Sequence, residues 1–385
     1  MGKLAIGTAA IAVVLAIALI GISATGFFGL EEKDSAEKNL VPLKIGVMMP
    51  LTGDAAIYGE SFETSLELAR EEINAKGGIL GRRVEFVVED SKCDAKAGVD
   101  AINSLVRLKG VDIVIAAECS GPSLSAAPIA EENKVLYLVC VASNPDIKHA
   151  GPHVFRIAPS DNQQGKDIAR LAAKEGYKNA AALYMDNAYG EGLGKAFVKE
   201  FKESRGRIVI EQRFNQEDKD FRTQLLKIRE AEPDMLFIVA YSQSYPLIIK
   251  QMHELNIEMQ VFAGDTFKDE TILEAVGKQA EGIILTGFFE SDSEEFLKFK
   301  EKYWDKYGKE FGPYGDYAYD SLYVLKEGIE QAGSFDPEVL KETLYGLSFE
   351  GATGLTEFDS LGEVDKPFGI MVVKNGKFVE YDKRR

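Results

Sequence analysis

The sequence predicts an α/β protein of two similar doubly wound lobes, each a mostly parallel sheet sandwiched between helices. Three observations support this. Short apolar runs alternate with amphipathic patterns at helical spacing, an order that implies right-handed crossovers and parallel strands. The alternation occurs in two successive series. The 385 residues also suit two lobes of about 150 residues each, once an N-terminal segment is set aside.

The first series opens with the apolar run Lys44 to Met49, which ends at Pro50 and the turn residues Thr52, Gly53 and Asp54. Phe62, Leu66, Ala69 and Ile73 then recur at helical spacing up to the glycine stop at Gly77-Gly78. Strands follow at Val84 to Val88, Asp112 to Ala117 and Val135 to Val139, with helices at Ala95 to Leu108 and Ser123 to Glu132. The second series starts after His153 to Ile157. Its strands are expected at Ala180 to Met185, Ile208 to Gln212, Met235 to Ala240, Gln260 to Ala263 and Gly282 to Gly287. Its helices are expected at Gln163 to Lys174, Gly192 to Glu203, Phe221 to Arg229 and Tyr245 to Leu255. Two helical patterns come next, Glu294 to Tyr307 and Tyr317 to Ala332. Phe368 to Val373 and Lys377 to Tyr381 flank Asn375-Gly376, a strong hairpin signal.

Leu4 to Leu30 carries no charge and follows Lys3. It reads as a signal peptide or an uncleaved membrane anchor over residues 1–30, since about 20 apolar residues suffice to span a bilayer. The basic flank places the remainder outside the cytoplasm, tethered or secreted. Residues 31–40 are a charged linker. Three cysteines, Cys93, Cys119 and Cys140, allow three pairings in an oxidising compartment, and none of their spacings suits a zinc site.

A net charge of −17 argues against nucleic-acid binding. Catalytic signatures are missing. There are three His, with no zinc-protease helix, phosphate loop or nucleophile elbow. His149 and His153 are separated by Gly151-Pro152 and share no helical face; Gly190, Gly192 and Gly194 do not complete a dinucleotide fingerprint. Neither a cofactor nor a metal is expected. Ligands of doubly wound sheets bind at the carboxyl ends of the strands, beside helix N-termini. Three segments qualify: 118–123, 140–145 and 186–190. Their small hydroxyl residues and free N–H groups suit a carboxylate.

Several motifs in order then resemble the branched-chain amino-acid binding proteins of ABC importers: Gly46 to Gly59, Gly77 to Gly81, Glu89 to Asp94, Cys119-Ser120, Ala142 to Pro145, Tyr189 to Gly192 and Asp218 to Phe221. The resemblance covers residues 43 to 382. It implies the type I periplasmic-binding-protein fold, with a three-crossover hinge and the ligand cleft between the lobes. The first lobe would comprise residues 41–159 and 289–362, the second 160–288 and the C-terminal hairpin 363–385. A Cys93–Cys119 disulfide is implied too, with Cys140 left as a thiol.

By the same resemblance, Ser120 and Ser143 receive a ligand carboxylate, while the Val141 carbonyl and the Ser143 hydroxyl lie near its ammonium, in a loop that includes Ala142. Tyr58 and Tyr189 line the cleft, and Tyr241 forms part of its wall. Asp265 is the ammonium partner; the alternative is a solvated helix cap before Lys268. The implied function is extracytoplasmic capture, by cleft closure, of a branched-chain or other apolar L-amino acid or a close analogue, delivered by a monomer to an ABC permease without catalysis. A membrane-tethered sensor for a similar ligand is the alternative.

Overall fold

The computed structural model describes residues 41–288 and 292–382. The apolar N-terminal segment and charged linker lie outside these residues. Among the described residues no helix is long and apolar enough to cross a membrane.

The first half of the chain contains β1 (Leu43–Met49), α1 (Ala56–Ala75), β2 (Val84–Asp90), α2 (Ala95–Asn103), β3 (Ile113–Ala116), α3 (Ser120–Glu132), β4 (Leu136–Val139) and β5 (Val154–Arg156). These strands form one parallel sheet in the order β2-β1-β3-β4-β5. Strand β3 is buried along its whole length, as is β4, which explains their continuous apolar runs.

A second, similar unit follows: α4 (Asp161–Glu175), β6 (Asn179–Met185), α5 (Ala188–Glu203), β7 (Arg207–Phe214), α6 (Arg222–Glu230), β8 (Met235–Val239), α7 (Ser244–Glu254), β9 (Gln260–Ala263), α8 (Glu270–Val276) and β10 (Ile284–Phe288). Strands β7-β6-β8-β9-β10 repeat the strand order of the first sheet. Both sheets are therefore doubly wound, each with a switch point beside its first strand.

The chain then returns to the first unit. Helices α9 (Glu294–Tyr307) and α10 (Gly315–Ala332) pack on α1. The Tyr303 hydroxyl lies 2.8 Å from Thr64 Oγ1, and Glu72 accepts hydrogen bonds from Lys302 Nζ, Tyr319 and Tyr323 at 2.8, 2.9 and 2.7 Å. After α11 (Pro337–Leu344) and the hairpin β11 (Ser348–Gly351) and β12 (Gly354–Glu357), the chain crosses back. Strand β13 (Phe368–Lys374) pairs antiparallel with β10, and β14 (Lys377–Glu380) completes the seven-stranded second sheet. Asn375 and Gly376 both have positive φ, 54° and 69°, which is the geometry a two-residue hairpin turn requires. The chain thus passes between the two sheets three times: after β5, after β10 and after β12. The second passage includes residues 289–291, which lie outside the described set.

Two helix starts differ from expectation by three residues or more. α3 begins at Ser120 and not Ser123, and α5 at Ala188 and not Gly192. Gly121, Pro122 and Gly190 read as loop residues, yet glycine and proline are tolerated in a first helical turn, where the N–H groups have no intrahelical partners. Helix α2 ends before Leu108, and Ser104–Leu108 continues as a π-helical turn. α11, of eight residues, and the four-residue strands β11 and β12 are too short to stand out.

Cys93 and Cys119 are disulfide-bonded, with Cα atoms 5.3 Å apart and a sequence separation of 26. The bridge ties the loop after β2 to the start of α3 and contributes roughly 3 kcal/mol on the chain-entropy account. Cys140 is free and buried.

Candidate functional site

Every candidate residue lies at the carboxyl end of a strand, which is where the topology directs a ligand. From the first sheet, Tyr58 follows β1, Ser120 follows β3, and Val141, Ala142 and Ser143 follow β4. From the second, Tyr189 follows β6, Tyr241 follows β8 and Asp265 follows β9. All eight line one small cavity of about 40 Å³, together with Phe62, Glu118, Cys119, Thr266 and Tyr314.

Two close backbone approaches set the aromatic wall. A Cβ on Gly59 would fall 1.9 Å from the Pro50 carbonyl oxygen, and one on Gly190 would fall 2.1 Å from that of Met185. Only glycine lets α1 and α5 start hard against the preceding loop or strand, and this holds Tyr58 and Tyr189 at the mouth. The Tyr189 and Tyr241 rings stack with centroids 5.5 Å apart, and Tyr58 meets Tyr241 edge-on at 6.2 Å.

The lobes are drawn together over this cavity. Tyr58 and Ser242 hydroxyls are 2.8 Å apart, Asn144 Nδ2 donates to the Ala188 carbonyl at 2.5 Å, and Lys219 Nζ lies 3.0 Å from Asp54.

Asp265 is buried, opening a short 3-10 turn. It is not a solvated cap; Asp269 caps α8 instead, accepting from the Thr271 N–H. Asp265 Oδ1 accepts from Gln164 Nε2 and the Tyr189 hydroxyl, each at 2.8 Å, and Oδ2 accepts from the Tyr314 hydroxyl at 2.7 Å. These three donors fix the carboxylate and leave acceptor capacity for one more. Opposite, Ser120 occupies the first turn of α3, where free N–H groups and the helix dipole favour an anion. Its Oγ accepts the Asn144 N–H at 3.3 Å, which ties α3 to the loop carrying Ser143.

Sequence reasoning missed the supports of this arrangement. Arg156, fully buried, donates to the carbonyls of Asn144 at 2.9 Å and Ala142 at 3.3 Å and pairs with Glu363. Tyr314 was also missed; its signal was the Gly312-Pro313-Tyr314-Gly315 turn, where Tyr314 takes a left-handed φ of 60°. Asp161 is buried, and neither of its carboxyl oxygens has a hydrogen-bond partner among the described residues. Burial, then the charge of Asp265, pushes its pKa well up.

Glu118 behaves similarly. Burial outweighs its hydrogen bond from Tyr137 (2.9 Å) and raises its pKa to about 7 from an ordinary 4.5. A raised folded-state pKa stabilises the fold fully below about pH 4.5, and that contribution is lost as pH rises through 7. Replacing Glu118 with Gln should therefore flatten the fall in urea-unfolding free energy between pH 5 and 8. The difference should approach about 3 kcal/mol at full ionisation.

Comparison with known proteins decides the family. A periplasmic binding protein family matches residues 42–377. This chain belongs to that family. Among its periplasmic binding protein relatives, a leucine-, isoleucine-, valine-, threonine- and alanine-binding protein of Pseudomonas aeruginosa is 30% identical, over 84% of this chain and 87% of its own. A leucine-binding protein of Thermotoga maritima has a crystal structure that superposes with a TM-score of 0.83 at 31% identity, covering 88% of this chain and 98% of that one. A branched-chain amino-acid transporter substrate-binding protein of Streptococcus pneumoniae, in complex with isoleucine, gives a TM-score of 0.79 at 26% identity, covering 88% and 97%. The periplasmic binding protein fold accounts for the paired sheets and triple passage.

Proposed function

We propose that this protein captures an apolar L-amino acid outside the cytoplasm and hands it to the permease of an ABC importer. The carrying observation is the charge layout of the cavity: an anion-favouring helix start with Ser120 and Ser143 on one lobe, and the buried carboxylate of Asp265 on the other. That pair matches a zwitterion. Ser120 and Ser143 receive the carboxylate, Asp265 and the Val141 carbonyl receive the ammonium, and Tyr58, Tyr189 and Tyr241 cover an apolar side chain, with Ala142 shaping the loop. The P. aeruginosa relative, named for four aliphatic amino acids and threonine, supports this ligand class.

Residues 41–159 with 289–362, and 160–288 with 363–385, act as the two lobes, and closure about their three connections is the signal the permease reads. The segment 1–30 exports or anchors the chain, which works as a monomer.

Thermal unfolding of the ligand-stripped full chain against a panel of amino acids, amides and small carboxylates tests the reading. A ligand at 100 times its dissociation constant should stabilise by about 2.7 kcal/mol. The expected result is a raised midpoint with aliphatic L-amino acids and a much smaller rise in Ser120→Ala. No shift anywhere in the panel would contradict it.

A further inference from the structure

The wall of the amino-acid cavity contains an acid that the ligand contacts described above leave unused. Glu118 lines that cavity with Ser120 and Ser143, precedes Ser120 by two residues, and is 1% exposed. Its hydrogen bonds go to neutral side chains. Oε1 accepts from the Tyr137 hydroxyl of β4 at 2.9 Å and, weakly, from Ser123 Oγ of α3 at 3.4 Å. Oε2 is buried and has no hydrogen-bond partner among the described residues.

The groups packed around this carboxyl bring no positive charge to it. Beside Tyr137 and Ser123 there is Ser91, after β2, whose buried hydroxyl makes no well-aligned hydrogen bond, and Met48 of β1, whose sulfur lies 4.0 Å from the Tyr137 hydroxyl. Tyr137 is the titratable member of this set. Burial, then the charge of Glu118, pushes its pKa well up, so it stays neutral. Ionising a buried carboxyl without a counter-charge is costly, and burial accordingly raises Glu118 to about 7. A second anion arriving at the start of α3 makes that ionisation harder still, because like charges repel strongly where water is excluded.

We propose that Glu118 couples amino-acid capture to proton uptake: a ligand carboxylate seated at Ser120 draws a proton from solvent onto the Glu118 carboxyl, and release of the ligand returns it. The proposal rests on the amino-acid reading above. Glu118 acts through space and does not touch the ligand. A group that holds its proton more tightly in the bound state favours binding at low pH, so affinity is full in mild acid and falls as pH climbs through 7. The protein then loads best from an acidic exterior.

Calorimetric titration of the full chain with L-leucine, L-valine and L-alanine between pH 5.5 and 8.5, in two buffers of different ionisation heat, tests this. The expected result is an affinity roughly five- to tenfold weaker at pH 8.5 than at pH 5.5, with about half a proton taken up per ligand near pH 7.5. Both effects should vanish in Glu118→Gln. Tyr137→Phe removes a donor that favours the ionised acid, so it should move the fall in affinity to higher pH, which a purely structural defect would not do. Asp161 is another buried acid with a raised pKa, and a pH dependence that persists in Glu118→Gln would belong to it or to another group and overturn the proposal. Ligand binding to the wild type without proton uptake would overturn it as well, leaving the amino-acid reading intact. Failure of all three ligands at every pH would overturn both.

Discussion

Asp265→Asn should weaken binding of an L-amino acid on the order of a hundredfold, about 3 kcal/mol, with little loss of stability. The carboxylate already accepts from Gln164, Tyr189 and Tyr314. An amide oxygen keeps part of that network, but it removes the charge that an ammonium would meet in a site closed to water. Truncating one partner of a buried, hydrogen-bonded charge pair typically costs 2–5 kcal/mol, and each 1.4 kcal/mol is tenfold in affinity. Calorimetric titration beside a urea-unfolding curve separates the two effects. Affinity within threefold of wild type would remove Asp265 from the ammonium site.

The largest stability effect is expected at Arg156. Its guanidinium is fully buried between the ligand loop and the third passage of the chain, bonding to the Ala142 and Asn144 carbonyls and to Glu363. Arg156→Leu deprives Glu363, 13% exposed, of its ion-pair partner. Breaking a buried pair in this way costs roughly 3–5 kcal/mol. The double variant Arg156→Leu with Glu363→Gln should recover part of this, because no uncompensated charge remains. Urea unfolding of the three proteins is the check, and equal losses in the single and double variants would argue that the carbonyl contacts alone carry the effect. Ligand affinity should fall as well, since Arg156 holds the loop that presents Val141 and Ser143.

Much of the architecture was legible because local patterns agree with the tertiary fold. The buried strands Ile113–Ala116 and Met235–Val239 have no polar residue to mislead, and Asn375-Gly376 requires the positive φ it adopts. The first-turn positions of α3 and α5 were misread because Gly121, Pro122 and Gly190 signal turns everywhere except at a helix start. In the site, residues beside helix N-termini were visible from strand ends. Arg156, Gln164 and Tyr314 were not, because each acts across a long sequence separation: Arg156 meets Glu363, and Gln164 and Tyr314 meet Asp265. Nothing in the local sequence marks such partners. Asp161 illustrates the limit well, since it reads as an ordinary first-turn acid of α4 and is fully buried.

The most direct test of a zwitterion-matched cleft compares three ligands on the same stripped protein by calorimetry: L-leucine, its des-amino analogue 4-methylpentanoate, and its decarboxylated analogue 3-methylbutylamine. All three carry the same isobutyl group, so the aromatic wall contributes alike. Opposed anion and cation sites predict that leucine binds at least a hundredfold more tightly than either analogue, because each leaves one buried partner unpaired. If 4-methylpentanoate bound as tightly as leucine, Asp265 would have no ammonium to meet and the protein would be a carrier of simple carboxylates.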